Sequence, residues 1–409
     1  MVSELKYKWS FLSKFRRNVF SWKASKLAAD RIKEAVSEIK IVARKDPILG
    51  AEGAVLFMEK VSPALEHVDS SSGALGSAVN KAMETLVPFI SKAPADKSIR
   101  DQWLERLWQA LEADQMPYIE ALTDHWGELC VTPELASFWA DEWIHIVRMA
   151  WGEDAHLHGF FKGTSSCLSA LFTASRYDEI LALLEMAPYK SWSYRKWGVK
   201  ALIAMGKKAE ALRYAEDSHG LNDSPTAIAQ ACEVILLGSG LTEEAYHRYA
   251  IQANHKTTYV STFKTITKRY PGKKASEVLD DLIASTPGSE GKWFAAAKSV
   301  GLYDKAIELA NYTPCDPRTL SRAARDMADT QPEFAARCGL TALYWIIAGY
   351  GYDITGADVQ DAFAYAVQAA RNIGIEKEVV ERIREMVSGK NHNQNFVREA
   401  LGNSLLSDG

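Results

Sequence analysis

The sequence predicts an all-α chain, an α-solenoid of stacked antiparallel helical hairpins. Three observations predict it. Apolar residues recur at helical spacing along nearly all of the 409 residues. Only 25 Gly and 13 Pro punctuate them, too few for a loop-rich β protein. A ten-residue pattern also recurs in the centre of the chain, at offsets that suit helical hairpins.

The elements follow from local signals. From Lys26 to Ala43, a stripe of Leu27, Ile32, Val36, Ile39 and Val42 predicts a helix that Asp46-Pro47 ends. A second helix runs through Val55, Leu56, Met58 and Val61, and a third through Val79, Met83, Leu86 and Val87. Helices are expected next over Ile99–Ala113, Met116–Leu129 and Pro133–Trp151. The last carries a start signal, with Thr132 as cap, Pro133 in the first turn and Glu134 at the positive end of the dipole. Its apolar face is read as Leu135, Phe138, Trp139, Trp143, Ile146 and Ala150. Towards the C-terminus, Asp316-Pro317 opens a helix, and Thr355-Gly-Ala-Asp358 is a capping-box variant before a helix ending near Gly374. Glu376–Val387 makes another.

Four windows align without gaps. They begin at Ser175 (SRYDEILALL), Gly206 (GKKAEALRYA), Gly240 (GLTEEAYHRY) and Gly301 (GLYDKAIELA). Each reads small-x-x-x-charged-small/apolar-apolar. A small residue lets the chain reverse between antiparallel helices, and a small or apolar residue early in the second helix lets it approach the first. The stretch from about 165 to 312 resembles the tetratricopeptide (TPR) repeat, with Gly301-Leu-Tyr-Asp-Lys-Ala-Ile most similar to that family's turn and second-helix start. The related stretches Val61-Ser-Pro-Ala-Leu65 and Leu86-Val-Pro-Phe-Ile90 are similar to proline-bearing HEAT-type hairpins. The whole chain also resembles uncharacterised bacterial helical-repeat proteins, a resemblance that implies no activity. The expected division is a basic N-terminal arm (1–25), an irregular or HEAT-like helical part (26–164), TPR-like repeats (165–312) and a C-terminal helical part (313–409). The TPR resemblance implies a protein or peptide partner held in a concave groove.

Charge is uneven. The net is −4, but residues 1–33 carry nine basic and two acidic side chains, so they contribute +7 and the remainder −11. Such an arm contacts polyanions or folds onto its own acidic body. Residues 256–274 hold Lys256, Lys264, Lys268, Arg269, Lys273 and Lys274 with no acid. There, Tyr259, Phe263, Ile266 and Tyr270 form the inward stripe, with Lys264 and Lys268 opposite. Residues 190–213 hold seven basic residues, including Arg195, Lys196 and Lys200, against Glu210 alone. The candidate polyanion-binding set is therefore Arg195, Lys196, Lys200, Lys264, Lys268, Arg269, Lys273 and Lys274. Nucleic-acid binding through it is the second functional expectation.

No catalytic or cofactor-binding set emerges. The glycine-rich phosphate loops, G-x-S-x-G and H-E-x-x-H are all absent. Four of the nine His follow a Glu by three residues (Glu142/His145, Glu153/His156, Glu216/His219, Glu244/His247), where chance gives about one. Paired Glu-x-x-His helices build metal sites in bundles, so a metalloprotein is a third reading, outweighed by ordinary surface pairs. His156 and His158 fall on opposite helical sides. The five Cys are too widely spaced for a disulfide framework or a zinc knuckle, and free buried thiols are expected. With no secretory signal and no apolar run long enough to span a bilayer, the expected location is the cytoplasm. Six of 12 Trp lie within 49 residues, Trp103 to Trp151. They are expected as packing anchors, with an exposed aromatic patch as the rival reading.

Overall fold

A computed structural model describes residues 7–152, 160–218, 220 and 223–405, with the backbone alone for Asn403. It is 72% helical, with 21 α-helices and no strand among the described residues. No described helix is long and apolar enough to cross a membrane. The chain divides into two compact units, residues 1–228 and 229–409. The four-part division expected from sequence is finer than this single one.

The first unit contains α1 (Ser25–Ala43), α2 (Pro47–Leu65), α3 (Ala74–Ser91), α4 (Lys97–Glu112), α5 (Trp126–Cys130) and α6 (Pro133–Trp151). It continues with α7 (Thr164–Thr173), α8 (Tyr177–Met186), α9 (Trp192–Ala204) and α10 (Lys208–Glu216). The division falls inside α11 (Pro225–Leu237). The second unit adds α12 (Thr242–Ala253), α13 (Tyr259–Arg269), α14 (Ala275–Ala284), α15 (Phe294–Ser299) and α16 (Tyr303–Tyr312). It ends with α17 (Pro317–Met327), α18 (Pro332–Ile347), α19 (Gly356–Arg371), α20 (Glu376–Met386) and α21 (His392–Leu401). Within each unit, helices pack on the next and on the next but one: α5 on α6 and α7, α7 on α8 and α9, α17 on α18 and α19, α18 on α19 and α20.

The described part of the basic arm folds onto the first unit. Trp9, Phe11, Phe15 and Phe20 are buried in its core. Phe11 and Phe15 meet Phe57 of α2 edge-on, at centroid distances of 6.3 and 5.5 Å. Gly53 permits this, because a Cβ there would enter the Trp9 ring. Two α1 carboxylates anchor the arm: Ser10 donates to Glu38 through backbone and hydroxyl, and Lys14 reaches Glu34 at 2.8 Å.

The tryptophans are mostly packing anchors. Trp126 is fully buried, with Trp108, Trp139 and Trp143 at 5.9, 5.3 and 5.3 Å. Trp103 donates its Nε1–H to Glu52 of α2 at 2.8 Å. One helix turn away, Arg106 forks onto Glu59 and reaches Glu52 at 2.8 Å, which sets α4 on α2.

Two expectations are corrected. Met116–Leu129 is not one helix: a 3-10 segment, Glu120–His125, precedes the short α5. The carboxylate of buried Asp114 accepts the backbone N–H groups of Tyr118 and Ile119, and this local bonding displaces the helical ladder. In α6, whose span and Thr132 cap are as expected, Phe138 is 56% exposed. Trp139 and Trp143 of the expected stripe are buried, together with Ala136, Ala140, Ile144, Val147 and Trp151, and the two alanines let neighbouring helices approach. All five cysteines are buried thiols outside any disulfide. Burial pushes the thiols of Cys130, Cys167 and Cys315 up to about 12.

The repeated windows share one turn. Ser175, Gly206, Gly240 and Gly301 all adopt left-handed φ, at +59°, +79°, +76° and +75°. The residue after each donates its N–H back across the turn: Arg176 to Leu171 O, Lys207 to Leu202 O, Leu241 to Leu236 O and Leu302 to Ala297 O, at 2.8–3.1 Å. That is the 6→1 bond of a Schellman cap. The following helix starts at once, and the sixth window residue (Ile180, Ala211, Ala245, Ala306) is completely buried. Gly374 makes a fifth copy, with φ +75° and Ile375 N–H bonded to Ala370 O at 3.0 Å. Gly374-Ile-Glu-Lys-Glu-Val-Val fits the sequence pattern, and Val379 is the buried sixth residue.

A methyl built on Gly301 meets nothing within 4 Å, so the cost of Gly301→Ala is conformational alone. We expect it to lower stability by about 1 kcal/mol. Ser175→Gly, which relieves a left-handed serine, is expected to raise stability by a smaller amount. Denaturant midpoints of the two variants check both signs.

Candidate protein-binding groove

The second unit carries a groove of about 490 Å³ on α16, α18 and α20. Helical spacing builds its walls. Arg337, Leu340, Thr341 and Tyr344 lie at i, i+3, i+4 and i+7 of α18. Ile307 and Asn311 are one turn apart on α16, as are Arg382 and Met386 on α20. The walls are held in register from beneath, because Trp345 of α18 donates its Nε1–H to Ala310 O of α16 at 2.7 Å. Thr341 donates to Asn311 Oδ1 at 2.9 Å.

The lining holds two arginines and no acid. Arg337 contacts Asp304 at 2.9 Å. Arg382 is exposed and has no carboxylate within ion-pair distance among the described residues. Ile307, Leu340 and Met386 supply apolar surface, and the Tyr344 ring is half exposed, edge-on to Trp345 at 5.0 Å. Such walls suit a peptide segment that pairs carboxylates with an apolar side chain. None of these residues was assigned to a site from sequence, although Ile307 closes the motif Gly301-Leu-Tyr-Asp-Lys-Ala-Ile. Their i, i+4 pairs were visible, but which three helices stand side by side was not.

The eight residues of the candidate polyanion-binding set fall into two groups. Arg195, Lys196 and Lys200 lie on α9 in the first unit. Arg195 is buried: Nε donates to Ser218 Oγ at 2.7 Å, and the guanidinium stacks on Tyr214 with Cζ 3.7 Å from the ring centroid. Lys196 pairs with Asp124 at 2.5 Å. Lys200 sits 4.1 Å over the Trp197 ring, and desolvation, with Lys196 nearby, lowers its pKa.

Lys264, Lys268, Arg269, Lys273 and Lys274 belong to the second unit. As expected, Phe263, Ile266 and Tyr270 are buried while Lys264 and Lys268 face outward. Lys273 pairs with Glu243 at 2.6 Å, which raises its pKa, and Arg269 approaches Glu233 at 3.5 Å. Lys264, Lys268 and Lys274 are exposed, with no carboxylate in ion-pair reach among the described residues.

Sequence reading missed Glu233. It is buried between Cys232 and Val234, and its Oε1 accepts from both Tyr270 Oη and Asn254 Nδ2 at 2.6 Å. It ties α11 to the ends of α12 and α13. Its only signal was an acid within an apolar helix.

The two Glu-x-x-His pairs that lie wholly within the described residues do not assemble. Glu142 and His145 are both exposed. Glu244 binds Arg248, and His247 lies nearer Glu243, at 3.7 Å. Glu153, His156, His158 and His219 lie outside the described residues. No three His, Cys, Asp or Glu side chains among the described residues come together as metal ligands.

These contacts separate structural cations from available ones. Arg195→Ala should destabilise the protein by about 1–3 kcal/mol, because it strands buried partners. Lys264→Ala with Lys268→Ala should leave the unfolding midpoint unchanged. Thermal melts of the two variants check the contrast.

No protein-family model matches the chain, and no curated protein matches it.

Proposed function

We propose that the chain is a non-enzymatic helical-repeat scaffold whose hairpins stack as a TPR-like α-solenoid and bind a protein partner through a peptide segment. The observation that carries this reading is the acid-free groove across α16, α18 and α20. Three successive even-numbered helices present one surface there, as stacked hairpins do. The recurrent left-handed turn supports the same reading, since it generates like hairpins at 175, 206, 240, 301 and 374. The partner segment is acidic and carries an aliphatic or aromatic side chain for the Leu340–Met386 surface.

A nucleic-acid reading rests on Lys264, Lys268 and Lys274, whose ammonium groups lack carboxylate partners among the described residues. One experiment decides between the two. Peptides selected from a random displayed library on the full chain should be enriched in Asp or Glu beside an apolar residue. Arg337→Glu with Arg382→Glu should weaken their binding at least tenfold, while Lys264→Ala with Lys268→Ala should not. Enrichment without acids, or binding indifferent to the arginines, contradicts the groove reading. Binding of RNA or DNA that falls steeply with salt and is lost in the lysine variant supports the alternative.

A further inference from the structure

The first unit carries a second surface, distinct from the groove and built by the N-terminal segment. Residues 5–29 contain seven basic side chains and no acid. The aromatic anchors Trp9, Phe11, Phe15 and Phe20 turn inward. What remains outside on the loop before α1 is Arg16, Arg17, Val19, Trp22 and Lys23. Trp22 is 64% exposed and Val19 44%. This loop is held in place. Asn18 N–H bonds to Pro63 O, with Asn18 at φ +57°, and Trp22 O accepts the Asp69 N–H at 2.9 Å. Trp22 is thus presented on a fixed backbone.

The outer side of α1 continues this surface. Lys26, Lys33 and Lys40 recur every seven residues and fall on one stripe. Leu27 and Ile41 lie beside it and are exposed. Between α1 and α3, a groove of about 280 Å³ is lined by Lys33, Lys40 and Lys81 over an apolar floor that includes Ile32, Val36 and Ala82, with no acid in the lining.

Several acids near this surface are already engaged. Glu34 holds Lys14 and Arg31, Glu38 accepts from Ser10, Asp30 pairs with Lys33, and Glu66 faces Arg17 at 3.4 Å. The Asp69 carboxylate accepts the Ser71 N–H. That leaves Arg16, Lys23, Lys26, Lys40 and Lys81 exposed with no carboxylate in ion-pair reach among the described residues.

We propose that this face docks on an anionic phospholipid surface. Cations alone would suit any polyanion. Here they are interleaved with exposed Trp22, Val19, Leu27 and Ile41, and the backbone of a duplex gives the three aliphatic side chains nothing in return. A bilayer interface takes both: tryptophan prefers headgroup depth, and each basic residue close to an anionic leaflet favours binding by about fivefold. The attachment is peripheral and reversible, because the apolar faces of α1 and α3 are buried in the protein.

The test is co-sedimentation of the full chain with vesicles of phosphatidylcholine alone or phosphatidylcholine with phosphatidylserine. The protein should pellet with the anionic vesicles at low salt and be released by high salt. Lys23→Glu with Lys26→Glu and Lys40→Glu should reduce partition by about tenfold or more. Trp22→Ala should weaken it several-fold while leaving the salt dependence intact. Lys264→Glu with Lys268→Glu, in the other unit, should bind as the parent does. All substituted side chains are exposed, and unchanged circular dichroism spectra confirm folding. Equal binding to both vesicle types, no binding to the anionic ones, or vesicles displaced by duplex RNA with no effect of Trp22→Ala would each overturn the proposal.

Discussion

A left-handed residue at the end of a helix is the constraint on which the repeated part of this protein depends. Left-handed φ closes the 6→1 hydrogen bond, satisfies a terminal carbonyl and reverses the chain in two residues. In four copies the next residue has nearly the same dihedrals, with φ between −84° and −91° and ψ between 55° and 66°. The second helix therefore leaves those four turns in the same direction, and its sixth window residue is buried in every copy. Ala at three of these five positions lets backbones come close, while Ile180 and Val379 fill wider spacing. Glycine supplies the turn at four sites. Ser175 does so under strain, next to Arg176, which bonds Glu179 bidentately and Asp141 at 2.6 Å.

Charge follows a different logic. A run of lysines without acids looks available in sequence, yet folding brings carboxylates from other elements. Asp124 reaches Lys196 from 72 positions away, and Glu243 reaches Lys273 from 30. The stretches at 190–213 and 256–274 thus spend much of their charge on cohesion. The N-terminal segment behaves otherwise. Trp9, Phe11, Phe15 and Phe20 are consumed by the core, while Trp22 and several of its cations stay outside.

This difference explains what could be read from the sequence. Helix identity, the caps at Thr132, Asp316 and Thr355, and the hairpin turns were legible, because each depends on residues within about six positions of one another. The fifth turn at Gly374 was equally visible in its pattern. The failure at Met116–Leu129 came from a carboxylate of Asp114 competing locally for backbone donors. The exposure of Phe138 was hidden because the buried face of α6 is turned towards Ala136, Ala140, Ile144 and Val147, away from Phe138. The groove residues could not be grouped, since Ile307, Arg337 and Arg382 meet only through the packing of α16, α18 and α20.

If the left-handed turns organise the hairpins, their bridging amides must be as protected as helix interiors. Native-state hydrogen exchange at Arg176, Lys207, Leu241, Leu302 and Ile375 measures this directly. Slow exchange is expected at all five, comparable to the buried turns of the flanking helices. Exchange at the rate of an unstructured peptide at these sites, with the helices themselves protected, would contradict it.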